Sequence, residues 1–439
     1  MNEVDLATGA LNLSGGTITA NKTTAGDKDN VLNKLTISGG TLTAQNEGGA
    51  GNITNTINGT VSGGVLNLSR PESAVGVQNN NINNANLTVT GGTVNMDGAT
   101  NTVVAGHTLR VNGGTVTMKG AANTIHGNLT VTQGVFNLDD STLNIANAGG
   151  AAVDPVLTLN GGEVYARKFA GGAGVATIPV AFTVNGSKVD LSNHADEGTA
   201  RIDFTQNVAV NNGSLDISNH NELSDMVVNV GAVAPANQRD LTVGANGKLI
   251  VGGKKSATTF TNDLAVNGEV QFRHNNGDFG TFTVTRNLVI HDGAKITILD
   301  DASLFAQGST AVVSDDAVNL PFPSIRGNNA TTFNPSAVKV VNTAAFTREY
   351  GALSRDGNRL QVGTTAAQVA EVSDTLVDDL SDMAGNVMAA QSAGSATQFG
   401  FTQNNAMKAK RQQTMRTILQ QRLRSDDKLN AVMQNLAEN

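Results

Sequence analysis

One motif, repeated in one register along most of the chain, constrains the fold more than any other feature. Segments aligned on a Gly-Gly pair or its substitute read Leu35-Thr-Ile37-Ser-Gly39-Gly40-Thr-Leu42, Leu87-Thr-Val89-Thr-Gly91-Gly92-Thr-Val94-Asn-Met96 and Leu109-Arg-Val111-Asn-Gly113-Gly114-Thr-Val116-Thr-Met118. A fourth copy is Leu129-Thr-Val131-Thr-Gln133-Gly134-Val-Phe136-Asn-Leu138, and weaker ones continue to about residue 298. The turns fall near 15, 39, 63, 91, 113, 133, 161, 185, 212, 246, 267 and 292, a mean period of about 25. Apolar and polar residues alternate on both sides of each turn, the period of half-buried strands. The glycines supply positive φ for a tight corner. A sandwich or barrel has no reason to hold one motif in one register a dozen times. A parallel β-helix does, because each coil places equivalent residues one above another at the strand spacing.

The expected fold is therefore all-β: a right-handed parallel β-helix (β-solenoid) over 1–363, with about 14 coils and a length on the order of 70 Å. Inward Leu, Val and Ile would form columns, Asn or Thr would form hydrogen-bonded ladders, and outward positions would carry Thr, Asn and Ser. Insertions interrupt the period at 232–239 and from Pro321 to Pro335, where the repeat is lost.

Residues 364–439 read differently. Val369, Val372, Leu376, Leu380, Met383 and Val387 follow a helical rhythm, with Glu371, Asp374, Asp378, Asp379 and Asp382 alongside. After a Gly/Ser/Ala/Gln-rich linker, a second amphipathic stretch from about 405 to 436 carries seven Lys or Arg residues, Lys408 to Lys428, against Asp426, Asp427 and Glu438. The expectation is an α-helical C-terminal region of one acidic and one basic helix. These would pair as a hairpin or across subunits, or remain two separately solvated helices.

Composition removes several functions. The chain has no Cys, so disulfide scaffolds, thiolate metal sites and cysteine nucleophiles are excluded. A net charge of −8 argues against nucleic acid as a partner. No apolar run is long enough for a membrane-spanning helix. Met1-Asn2-Glu3-Val4-Asp5 lacks the basic, apolar start of a signal peptide, so an exported protein would carry its signal outside these residues.

The Leu-Thr-Val-Thr-Gly-Gly-Thr-Val repeats at 35–44, 86–98 and 108–120 resemble the passenger repeats of bacterial autotransporters (type V secretion), and the resemblance extends over about residues 10–300. Similar Gly-Gly-Thr repeats occur in other exported bacterial β-helix adhesins and surface-layer proteins. The resemblance implies a right-handed β-helical passenger at the bacterial cell surface, exported through an outer-membrane barrel. No barrel-like strand pattern follows the two helical stretches in this sequence.

Catalysis finds little support in the residues. Asp139-Asp140, Asp300-Asp301 and Asp315-Asp316 are candidate carboxylate pairs, and neighbours within a strand point to opposite faces. With no Trp and only Tyr165 and Tyr350, a sugar groove would lack stacking platforms. His126-Gly127 stands without the companion motifs of a pectinase. No phosphate loop, nucleophile elbow or calcium-binding nonapeptide is present, and no cofactor is expected.

One pair is sharper. Asp190-Leu191-Ser192-Asn193-His194 returns 26 residues later as Asp216-Ile217-Ser218-Asn219-His220. Stacked coils would bring His194 and His220 together, with Asp196 and Glu222 near them, as a divalent-metal site or a pH-sensitive pair. The plainer reading is an Asn ladder flanked by surface histidines. The function expected from the whole is non-catalytic: an exported surface rod serving adhesion to a receptor on a host or neighbouring cell, or cell-surface structure. The alternative is a subunit that self-assembles into a homo-oligomer, filament or surface layer through its solenoid ends and C-terminal helices.

Overall fold

The computed structural model describes residues 9–21, 29–46, 53–70, 79–145, 154–169, 174–231, 241–275, 280–284, 288–291 and 294–300, and the strands Leu320–Pro321, Val338–Asn342, Thr347–Glu349, Ala352–Asp356 and Arg359–Gly363. The chain is a parallel β-solenoid whose strands pair with the equivalent strands of the levels before and after. One column of paired positions can be followed link by link: Leu13, Ile37, Val61, Val89, Val111, Val131, Leu159, Val184, Val210, Val243, Val266 and Ile290. From Leu13 to Val266 every member is buried. A second column on the next face runs Ile18, Leu42, Leu66, Val94, Val116, Phe136, Val164, Val189, Leu215, Leu249, Val270 and Ile296. Both columns count twelve levels, about 50 Å of stack at a strand spacing of ~4.8 Å.

A third face closes each coil. It holds Thr100–Val103, Ala122–Ile125, Thr142–Ile145, Gly174–Ile178, Thr199–Phe204, Asp225–Val230, Ser256–Phe260 and Thr281–Val284. Its inward residues include Val103, Ile125, Ile145, Phe204, Val230 and Phe260, so three apolar walls enclose one continuous core. In the early levels an inward polar column replaces part of this wall. Asn30, Asn55, Asn81, Asn101 and Asn123 are buried, and each Nδ2 donates to the next Oδ1 at 2.8–2.9 Å. Each Nδ2 also donates to a main-chain carbonyl of its own coil, as Asn81 does to Leu68 and Asn101 to Met96.

The corner between the first two faces is a column of glycine backbone. Gly16, Gly40, Gly64, Gly92, Gly114, Gly134 and Gly162 hold φ between 64° and 78°, where a Cβ is disfavoured. The first glycine of each pair has a different reason. A Cβ on Gly39, Gly63 or Gly91 would lie 2.4 Å from the carbonyl oxygen of Ser14, Ser38 or Ser62 in the level before.

The regular stack ends earlier than the expected boundary at 363. Lys295–Asp300 pairs in parallel with Val338–Asn342, which pairs antiparallel with Thr347–Glu349. Arg359–Gly363 pairs antiparallel with both Ala352–Asp356 and Leu320–Pro321. The change follows the segment with Pro321, Pro323 and Pro335, residues that cannot donate to a ladder. Among the described residues the columns count twelve levels, where about 14 were expected of 1–363. The helices expected in 364–439 lie outside the described residues, and among the described residues no helix occurs.

Candidate functional site

Most outward columns carry hydroxyls and amides. One exception is a run of charged and aromatic side chains where the second-face strands end, between the levels of Asp139 and Arg273. The register that builds it is Asn137, Tyr165, Asp190, Asp216, Ile250 and Gln271. The residues two and four positions further along project from the same edge.

At one end Arg167 binds Asp139 through two parallel hydrogen bonds, Nε to Oδ1 at 3.1 Å and Nη2 to Oδ2 at 2.7 Å, while its own main-chain N–H donates to Oδ1. Asp139 is buried, so this is a desolvated, bidentate pair. Asp140 points elsewhere, accepting from the Phe169 N–H and lying 4.0 Å from Lys168 Nζ. Both carboxylates of the pair thus hold the chain. Asp301, Asp315 and Asp316 lie outside the described residues. The Arg167 guanidinium also sits over the rings of Tyr165 and Phe169, 4.4 and 5.0 Å from their centroids.

The two pentapeptides do stack. His194 and His220 have ring centroids 4.1 Å apart, and Phe169, 42% exposed, stacks on the outer face of His194 at 4.8 Å. Below the rings Asn193 Nδ2 donates to Asn219 Oδ1 at 3.0 Å, as a ladder requires. The equivalent residues of the two copies have different partners. Ser192 Oγ donates to Asp190 Oδ1 and lies 3.0 Å from His194 Nε2. Ser218 Oγ likewise donates to Asp216, but accepts from Arg273 Nε at 3.0 Å. Arg273 Nη2 lies 3.8 Å from Asp216 Oδ2, and His220 Nε2 lies 3.6 Å from the same oxygen without making a hydrogen bond.

Arg273 reaches Ser218 across a whole level because the position between them is Gly252. Asn275 does the same across Gly253, donating to the Asn219 carbonyl at 2.9 Å. A Cβ on Gly253 would lie 2.0 Å from that carbonyl oxygen. The Gly252-Gly253 pair vacates one level, and side chains from the next level fill it. Period and spacing alone could have paired Asp139 with Arg167, one level apart. The two-level contact of Arg273 had no such signal.

The expected metal ligands occupy separate roles. Asp196 is exposed on the loop after His194, and Glu222 is bound by Lys254 Nζ at 3.2 Å. Stacked imidazoles direct their in-plane lone pairs side by side rather than toward one point, which does not suit a shared ion. Among the described residues no three His, Asp or Glu side chains converge to hold a metal.

A pH response has clearer physics, and it rests on His194 and Asp216. Burial, the His220 imidazole and the Arg167 guanidinium push His194 down to about 4. Burial alone would raise Asp216, but His220, Arg273 and Ser218 outweigh it and hold its carboxylate below the ordinary range. Unfolding lets His194 take up a proton near its ordinary value, so its contribution is present above about pH 6.5 and is lost as pH falls toward 4. The Asp216 contribution has the same sign and disappears only at lower pH. Allowing for the partial exposure of His194, a loss of about 1–2 kcal/mol is expected between pH 7 and 4.5. Thermal melts should show it, and His194→Phe, which keeps the stack, should shrink the difference. Equal acid sensitivity in the two proteins would count against this assignment.

No family model, curated protein or solved structure matches this chain.

Proposed function

We propose that this chain is a non-catalytic, exported bacterial surface protein of the autotransporter-passenger type, a rigid rod serving adhesion or cell-surface structure. The observation that carries the reading is the unbroken buried column from Leu13 to Val266. Twelve levels bonded edge to edge around one apolar core bend little, and such a stack projects its outer faces at a fixed distance from its base. The coils are taken as right-handed, the hand that crossovers between parallel strands adopt almost without exception. Long faces of small polar groups suit extended, multivalent contact with a receptor on a host or neighbouring cell. Fluorescently labelled protein should bind whole bacterial or host cells, saturably and in competition with unlabelled protein. Binding no stronger than that of an unrelated acidic protein would overturn the adhesive reading.

A self-assembling subunit of an extracellular filament or surface layer is the second reading, and one detail favours it. Gly15 and Gly16 hold the glycine pair of the first described level, and a Cβ on either would meet none of the described residues within 4 Å. Among the described residues the strands Leu11–Leu13 and Thr17–Thr19 pair along one edge only. Electron microscopy over a concentration series separates the readings: isolated rods at every concentration support presentation, and filaments or sheets support assembly, with the helical stretches of 364–439 as added contacts.

A further inference from the structure

The second face of the solenoid is divided. Its two outward columns have one composition over the first six levels and another over the next six. The first column runs Thr17, Thr41, Val65, Thr93, Thr115 and Val135, and all six are β-branched. It then continues as Glu163, Lys188, Ser214, Lys248, Glu269 and Lys295, five of six charged. The second column runs Thr19, Thr43, Asn67, Asn95, Thr117 and Asn137 before Tyr165, Asp190 and Asp216 begin the charged cluster. Packing cannot explain the division, because both halves enclose the same aliphatic core.

Three properties of the first half define its ligand. It is a two-dimensional lattice, with ~4.8 Å between levels and about 7 Å between the columns. It is stiff: β-branched side chains have few rotamers on a strand, so the γ-methyls form a fixed row with hydroxyls interspersed. Where Val65 and Val135 replace Thr, the methyl row continues and only the hydroxyl is lost. It is also uncharged and flush. The glycine corner along one margin carries no side chain, and the Asn67, Asn95 and Asn137 Oδ1 atoms at the other turn back to accept main-chain N–H groups two residues on.

The area of this patch is about 200 Å², far below the ~800 Å² per partner of a stable protein interface, so a second protein is a poor occupant. A glycan would be met by aromatic rings or charged groups, and the two columns of this half carry neither; the Asp97–Lys119 ion pair stands past their asparagine margin. The remaining class is a surface that repeats in two dimensions, bears no net charge and accepts both methyls and hydroxyls. Crystalline water is such a surface, and the oxygen repeat along one axis of hexagonal ice lies within a few tenths of an ångström of the strand spacing. We infer that the Thr/Val face of levels one to six binds ice. The inference goes beyond the rod reading and stands or falls separately from it.

The test uses the full chain, labelled on its amines, in a slowly growing ice hemisphere, with a recrystallisation assay beside it. Wild type should concentrate in the ice and keep ice grains small at concentrations where serum albumin does neither. Thr93→Arg places a strongly hydrated charge in the middle of the lattice and should lower the enrichment at least about tenfold. Thr93→Ser keeps the hydroxyl, removes the methyl and leaves the interior untouched. It should lower enrichment severalfold with an unchanged melting temperature, and it decides the matter if the Arg variant misfolds. Lys248→Gln, in the charged half, should bind as wild type does. Exclusion of wild type from ice overturns the inference, as does equal enrichment of the Thr93 variants and wild type.

Discussion

Gly91→Ala should cost at least about 3 kcal/mol or prevent folding, whereas Gly15→Ala should change stability by less than about 0.5 kcal/mol. Both glycines open the same Gly-Gly corner, and neither has a positive φ, so the contrast isolates stacking from backbone strain. The new methyl on residue 91 would sit 2.4 Å from the Ser62 carbonyl oxygen, while that on residue 15 meets none of the described residues within 4 Å. The obstacle at 91 is main chain held in the ladder on both sides, for Thr90 N–H donates to Val61 and Thr93 N–H to Gly64. It cannot move without separating two levels. The second glycines add the other term. Gly16→Ala should cost about 1 kcal/mol for its φ of 74° alone, and Gly92→Ala should combine that cost with a 2.5 Å approach to the Gly64 oxygen. Denaturant midpoints of the four variants check the pattern. Equal costs at 15 and 91 would mean that the corner is glycine for reasons local to each turn.

That contrast also shows what the sequence disclosed and what it hid. The Gly-Gly motif, its period and the flanking alternation sufficed for a parallel solenoid, because only stacking makes one register worth keeping. The motif was read as a demand for positive φ, which holds for the second glycine and not the first. The first answers to an atom some 29 residues earlier in the chain, such as Ser62 for Gly91, and no local rule finds it. The third face was equally hidden. Its strands carry no glycine mark and follow loops of unequal length, so the period described a coil without giving its number of sides. The pentapeptide repeat at 190–194 and 216–220 located the histidine stack to within one side chain. It could not reveal that Arg273 and Asn275 complete the second copy, since that depends on Gly252 and Gly253 leaving a level empty. Asp196 and Glu222 lie near His194 and His220 in sequence, but loop residues do not inherit the strand register, so proximity along the chain did not make them ligands.

The asparagine ladder is where the chain accepts a polar interior, and its energetics should depend on position. Asn81 has both neighbours: its Nδ2 donates to Asn101 Oδ1 and to the Leu68 carbonyl, and its Oδ1 accepts from Asn55 Nδ2. Asn81→Ala would leave the buried Asn101 Oδ1 without its donor and one Nδ2 hydrogen of Asn55 without its acceptor, a loss of about 3 kcal/mol. Asn123 closes the ladder, because the next residue in that column is Leu143. Its removal leaves Asn101 Nδ2 still bound to the Met96 carbonyl, and the Met118 carbonyl still accepts from Ser141. Asn123→Ala should therefore cost nearer 1 kcal/mol, although both side chains are buried to the same degree. Were burial of the amide the controlling quantity, the two variants would lose equal stability. A threefold difference would instead mean that each asparagine is held by its neighbours and that the ladder acts as one element. The double variant would then lose less than the sum of the two single losses, since removing Asn81 already weakens the network that Asn123 terminates.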